Sequence, residues 1–118
     1  MAIRFSKELR SVDDLSEEAR EDLKLDLEAI ADSIVEDARS HHRFESQTGA
    51  LEASVNAEAT EDTIRAWLDV SVAPYAVYIH DGTRKWVSDP FLEKAFTAHM
   101  PEVNEAIERA TMKTLERF

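Results

Sequence analysis

The chain contains no cysteine, which excludes disulfide bonds, thiolate nucleophiles and thiolate metal ligands. It has only two glycines and three prolines, so each of them marks a definite break in the sequence pattern. No apolar run approaches the roughly 20 residues of a membrane-spanning helix, and the N-terminus lacks the apolar core of a signal peptide. The sequence therefore predicts a protein with no membrane span, no leader and no disulfide framework.

Acidic residues outnumber basic ones, giving a net charge of −11 over 118 residues. Between Asp13 and Arg39 eleven acidic residues face three basic ones, a local balance of −8. Such a surface repels a phosphate backbone, so nonspecific DNA binding is not expected. The acidic segment is either an ordinary solvated helix face or a wall past which DNA slides without sequence-specific binding.

A long helix is predicted from Leu15 to about Phe44, because apolar residues recur there at steps of three and four. Acidic residues crowd its first turns and cations its last, as the helix dipole favours. The predicted apolar stripe consists of Leu23, Leu27, Ile30, Ile34 and Ala38. This pattern is typical of an amphipathic helix that covers a core.

Two later segments alternate between apolar and polar residues, as half-buried strands do. They are Leu51–Ala57 and Ile64–Val72, and the polar turn between them predicts an antiparallel hairpin. Trp67 falls on the polar face of the second strand, where we predict an interface. Residues 1–12, in which Ile3 and Phe5 alternate with polar residues, are interpreted as a short edge strand, and residues 1–14 alternatively as an extended arm of a single domain covering 1–118.

The C-terminal part predicts a short helix and a final helix. Residues 75–80 precede Gly82, which we expect to end the short helix with a positive φ. Asp89 is expected to cap the final helix, with Pro90 in its first turn and Pro101 kinking or splitting it. The predicted fold class is α+β, with the long first helix packed on a small antiparallel sheet.

No catalytic, cofactor or metal site is predicted. His41 and His42 suggest a metal ion, with Glu45 and His80 or His99 as further ligands. Adjacent helical residues point about 100° apart, however, so the pair cannot chelate one ion and is better explained as cations at a helix end. The sequence has neither a nucleophile-elbow motif nor a phosphate-binding loop.

One cluster of aromatic and basic residues favours protein contacts. Arg84, Lys85 and Trp86 lie between two fixed points of the chain, and such side chains often anchor interfaces. Stacking on nucleic acid is the alternative, although only two cations accompany the aromatics. Tyr75 and Tyr78 are expected to pack in the core.

Three short motifs resemble those of the HK97 gene-product-ten-like family of bacteriophage neck and tail-completion proteins. A TG-x-L-x-x-S pattern starts at residue 48, Y-A-x-Y-x-x-x-G-T at residue 75, and P-F-L-x-x-A at residue 90. The residues that carry them are Thr48, Gly49, Tyr75, Tyr78, Gly82, Thr83, Pro90 and Phe91. The chain departs from the family pattern at His80, where an acid is common, and at 86–88, where prolines are.

The resemblance implies a structural virion protein at the head–tail junction, assembled in the host cytoplasm. Such a protein would form a homo-oligomeric ring, a hexamer being preferred to a dodecamer, between the connector or stopper and the tail. The first alternative is a tail terminator that caps the tail tube. Two others are a cytoplasmic protein-binding regulatory module and a small metal-dependent hydrolase.

Overall fold

A computed structural model describes residues 3–10, 12–40, 49–82 and 89–116. A single 3-10 turn, Val12–Asp14, precedes the long helix. The helices and strands in chain order are β1 (Arg4–Glu8), α1 (Glu17–Ser40), α2 (Ala50–Ala53), β2 (Val55–Ala59), β3 (Thr63–Leu68), α3 (Ala76–Asp81), α4 (Phe91–Ala98) and α5 (Met100–Leu115). The predicted α+β class is confirmed, with a long first helix, a small antiparallel sheet, a short helix and a C-terminal helix.

The sheet has the strand order β1-β3-β2, and both pairings are antiparallel. β2 and β3 form the predicted hairpin, while the N-terminal strand β1 completes the sheet as an edge on the other side of β3. The register aligns Phe5 with Ala66 and Ala57. β3 is therefore the central strand, and its inward residues Ile64, Ala66 and Leu68 are buried.

Helices α1, α3 and α4 lie against the same face of the sheet. The predicted apolar stripe of α1 is buried in full, and among the strands α1 packs chiefly against β2. Phe5 of β1 contacts Phe96 of α4 and His80 of α3, with ring centroids 5.9 Å apart in each case. The core consequently lies between a helical layer and the inner face of the sheet.

Ser16 begins α1. Its Oγ accepts a hydrogen bond from the Ala19 N–H at 3.2 Å, and its own N–H donates to Thr114 of α5 at 3.0 Å. The hydroxyl satisfies one of the N–H groups that a helix start leaves unpaired. Ser16 therefore caps α1 and joins it to the end of α5.

Helices α1 and α5 run antiparallel, and ion pairs bridge them. The pairs are His99 Nε2 with Asp37 at 3.2 Å, Arg109 with Asp26 at 3.3 Å, and Lys113 with Glu18 at 3.2 Å and with Asp22. Hydrogen bonds to Asp22 and then to Glu18 raise the pKa of Lys113 above its ordinary value. The bridges neutralise the side of α1 that faces α5 and leave the opposite side acidic.

The prediction of a strand over Leu51–Ala57 is wrong in its first half. Residues 50–53 form α2 and Ser54 follows in a helical conformation, so the strand begins at Val55. Leu51 and Val55 are both buried. A spacing of four satisfies a helical turn as well as two strand periods, so alternation could not distinguish the two structures.

The second predicted strand, Ile64–Val72, ends at Leu68, well before Pro74. The Asp69 carboxylate accepts hydrogen bonds from the N–H and the hydroxyl of Ser71, at 3.0 and 2.5 Å. These bonds hold the pKa of Asp69 below its ordinary value. This local turn engages backbone groups that would otherwise pair with a neighbouring strand, so β3 ends at Leu68.

The last helical segment is divided into two helices next to Pro101, as predicted. α4 ends at Ala98 and α5 starts at Met100, with Pro101 in the first turn of α5, where a missing N–H is tolerated. The predicted cap is displaced by one position: Pro90, and not Asp89, lies at the start of α4. Asp89 instead donates its N–H to the Ile79 carbonyl at 2.9 Å, which fixes the chain before the helix.

Candidate interaction site

The outer face of the sheet is open to solvent in the part of the chain that the structure describes. Because side chains alternate along β3, Arg65 and Trp67 point away from the helices. The register places Arg4 and Asn56 on either side of Trp67. This set of outward residues, which also includes Ser6, Glu8, Glu58 and Thr63, is called the outer sheet face below.

The outer sheet face is concave. It contains a recess of about 490 Å³ lined by residues of all three strands. Trp67 is half-buried at one end of the recess, next to the exposed Arg4. An aromatic ring beside a cation in a recess is a suitable anchor for a protein partner.

The charges of the outer sheet face are unevenly paired. Arg65 Nε lies 3.1 Å from a Glu58 carboxylate oxygen, so these two residues largely neutralise each other. Among the described residues no carboxylate forms an ion pair with Arg4, Lys7 or Arg10, all of which belong to β1 or its end. β1 therefore gives a cationic margin to a chain that is otherwise strongly acidic.

A second exposed apolar group lies between β3 and α3. Tyr75 and Tyr78 are 42% and 62% exposed, and Val70 and Val72 are 40% and 43% exposed. The prediction that both tyrosines pack in the core is therefore wrong. α3 buries Ala76 and His80, which are four residues apart and therefore lie on the same side of the helix. The tyrosines lie on other sides of this turn and face solvent.

His80 is the buried polar residue of α3. Its Nε2 accepts the Glu93 N–H at 3.3 Å, so its Nδ1 carries the proton that is donated to Asp81 at 3.1 Å. Phe91 packs edge-on against the ring at a centroid distance of 5.5 Å. These contacts make His80 a structural link between α3 and α4.

The described residues do not assemble a metal-binding cluster of three or more acidic or histidine side chains. His80 and His99 are engaged by different carboxylates on different helices. His41, His42 and Glu45, the other residues of the metal hypothesis, lie outside the described ranges.

The motif residues are only partly described. Gly49 and Gly82 both have positive φ, 75° and 82°, as predicted for Gly82. Pro90 starts α4, and Phe91 is buried beneath it. Arg84, Lys85 and Trp86, the predicted interface loop, lie outside the described residues together with Thr48 and Thr83. Trp67 is thus the predicted interface residue whose surroundings are known.

Comparison with protein-family models, curated proteins and solved structures gives no match. The likeness to phage neck proteins therefore depends on the three motifs alone. No helix in the described ranges is long and apolar enough to cross a membrane.

Sequence reasoning found Trp67 but missed the residues around it. Arg4 joins the site because β1 pairs with β3, a contact between residues more than 60 positions apart. The alternation of Ile3 and Phe5 was the one signal for that strand, and it carried no information about register.

Proposed function

We propose that this protein is a structural subunit of a tailed-bacteriophage virion that forms a ring at the head–tail junction, as a neck or tail-completion protein. The order and spacing of the three motifs support this proposal. They mark the entry to α2, the short helix α3 with its terminal glycine, and the start of α4. Each motif thus coincides with a boundary between elements.

The open outer sheet face is the structural observation that supports contacts with other subunits. A small domain that leaves one sheet face uncovered, with a tryptophan in a recess, has a surface suited to a protein partner. Both β1 and β2 are edge strands, which adds two further surfaces for pairing between subunits. The exposed Tyr75 and Tyr78 supply another surface, suited to a connector or tail protein.

The test is genetic and structural. The gene is deleted from the phage or prophage that encodes it, and lysates are inspected by electron microscopy. A neck protein predicts filled heads and separate tails, with joining restored when purified protein is added. Intact particles in the deletion lysate would contradict the proposal.

A map of the complementing particle separates the neighbouring assignments. Density for the ring between connector and tail supports the neck assignment, whereas a ring on the end of free, purified tails identifies a tail terminator. Absence of the chain from purified particles, with a host protein bound instead, identifies a regulatory module and refutes the virion assignment.

A further inference from the structure

Leu25 is a large apolar side chain on the solvent side of α1 and is 64% exposed. Its neighbours one helical turn away include Glu21 and Glu28, and Asp32 continues the same face. Within the described chain none of these three carboxylates takes part in an ion pair. The outward face of α1 therefore places Leu25 beside three carboxylates without ion pairs, while the other side of Leu25 borders the ion pairs of Asp22 with Lys113 and of Asp26 with Arg109.

The outer sheet face has the complementary character. Trp67 offers an apolar surface and Arg4 an unpaired cation. Of the two acids on this face, Glu58 is paired with Arg65, whereas Glu8 has no ion pair among the described residues and lines the recess at the other end of β1 from Arg4. At the Arg4 end of the recess, an apolar side chain and a positive charge thus lie side by side, as Leu25 and its neighbouring carboxylates do on α1 with the opposite sign of charge.

The two surfaces lie on different sides of the molecule. α1 packs beneath the sheet, mainly against β2, whereas β1 is the opposite edge and covers α3 and α4. One copy can therefore use both surfaces at the same time without competition between them. Contacts of this head-to-tail kind generate rings or filaments, unlike the self-complementary contact of a two-fold dimer.

We propose that the outward face of α1, centred on Leu25, docks in the recess of the outer sheet face of a second copy of this chain. Leu25 then packs against Trp67 of the next subunit, and Glu28 and Asp32 lie near its Arg4. The inference deepens the proposed function, on which it rests for the ring itself, by naming the contact between neighbouring subunits.

The dimensions of the two surfaces agree. Three strands spaced about 4.8 Å apart give a sheet roughly 10 Å across. A helix with its side chains is about 10–12 Å in diameter. The outer sheet face is therefore about as wide as one helix.

Site-directed cross-linking tests the contact. Because the sequence has no cysteine, only the introduced cysteines can form disulfide bonds. Ser6 is exposed on the outer sheet face, and Ala29 is exposed one turn after Leu25. Oxidation of a Ser6→Cys/Ala29→Cys variant should give a ladder of dimers, trimers and higher species. A mixture of the two single variants should stop at dimers, and each single variant alone should remain uncross-linked.

Matched controls exclude random collision. Thr111 is exposed on α5, away from the proposed contact, so a Ser6→Cys/Thr111→Cys variant should give no ladder. Adding Arg4→Glu to the reactive pair should slow cross-linking about tenfold, because the charge now opposes association. Adding Glu28→Lys and Asp32→Lys to that variant should restore the rate.

Failure of this contact is distinct from failure of the proposed function. No ladder from the Ser6/Ala29 pair, or equal dimer formation by Ser6→Cys alone, overturns the head-to-tail contact even if the protein is found in virions. A charge-dependent ladder from a protein that is absent from virions upholds the contact and overturns the neck assignment.

Discussion

Leu68 and Trp67 are neighbours on β3 with side chains on opposite sheet faces, and they test which face belongs to the core. Leu68 is 4% exposed and aligned with Val55 on the inner face, in the central strand of the sheet. Trp67 is only half-buried, in the recess of the outer sheet face. We expect Leu68→Ala to destabilise the fold strongly and Trp67→Ala to do so much less.

The magnitude for Leu68→Ala follows from the atoms removed. Three carbons leave a buried site, which at about 0.8 kcal/mol each costs about 2.4 kcal/mol. The central strand is held on both sides, so the remaining cavity collapses poorly and raises the total from there to at most about 5 kcal/mol. For 118 residues at about 2.1 cal/mol/K each, every 1 kcal/mol lowers Tm by about 4 °C. A fall in Tm of about 10–20 °C is expected.

Urea unfolding of dilute protein, followed by far-UV circular dichroism, measures both variants against the parent chain. Dilution matters because association would add its own stability. Trp67→Ala should keep most of the unfolding free energy while losing self-association in concentrated protein. A larger loss of stability for Trp67→Ala than for Leu68→Ala would show that the inner and outer faces have been exchanged.

Three other substitutions test single features. Gly82→Val should lower the unfolding free energy by at least about 1 kcal/mol, because φ 82° with ψ 172° strains any side chain, and an unchanged Tm would contradict this. Ser16→Ala removes the α1 cap and should cost about 1 kcal/mol by urea unfolding, with Ser16→Asn as the conservative control. The raised pKa of Lys113 means that its ion pairs with Asp22 and Glu18 stabilise the fold below about pH 10.5, and this stabilisation is lost as pH rises through the higher folded value. Lys113→Gln should therefore flatten the alkaline decline of Tm, and an identical decline in both proteins would refute the assignment.

The long helix and the central strand could be predicted from sequence because their patterns are long and periodic. The stripe from Leu23 to Ala38 fits only a helical period, and its residues are buried as expected. Ile64, Ala66 and Leu68 fit only a strand period over a length typical of strands. Gly82 and Pro101 were predictable for a different reason, since their effects on the backbone are local.

The errors arose where several structures satisfy the same short pattern. Leu51 and Val55 fit a helical turn and a strand equally well, so tertiary packing decided between them. The end of β3 depended on a side-chain hydrogen bond of Asp69 to Ser71, which hydrophobic alternation does not register. The tyrosines of α3 were misplaced because a helix of one and a half turns can bury only one side, and here that side carries Ala76 and His80.

At the proposed contact between subunits, the attraction between charges and the burial of apolar area have separate roles. Physiological salt screens exposed charges over a Debye length of about 8 Å. Exposed pairs such as Arg4 with Glu28 or Asp32 therefore contribute little to affinity. In a chain of net charge −11, however, a local attraction is needed to overcome repulsion between copies during approach. The energy that holds the contact must then come from apolar area, which on these surfaces is supplied by Trp67 and Leu25. The charges therefore select the orientation of neighbouring subunits, and the tryptophan keeps them together.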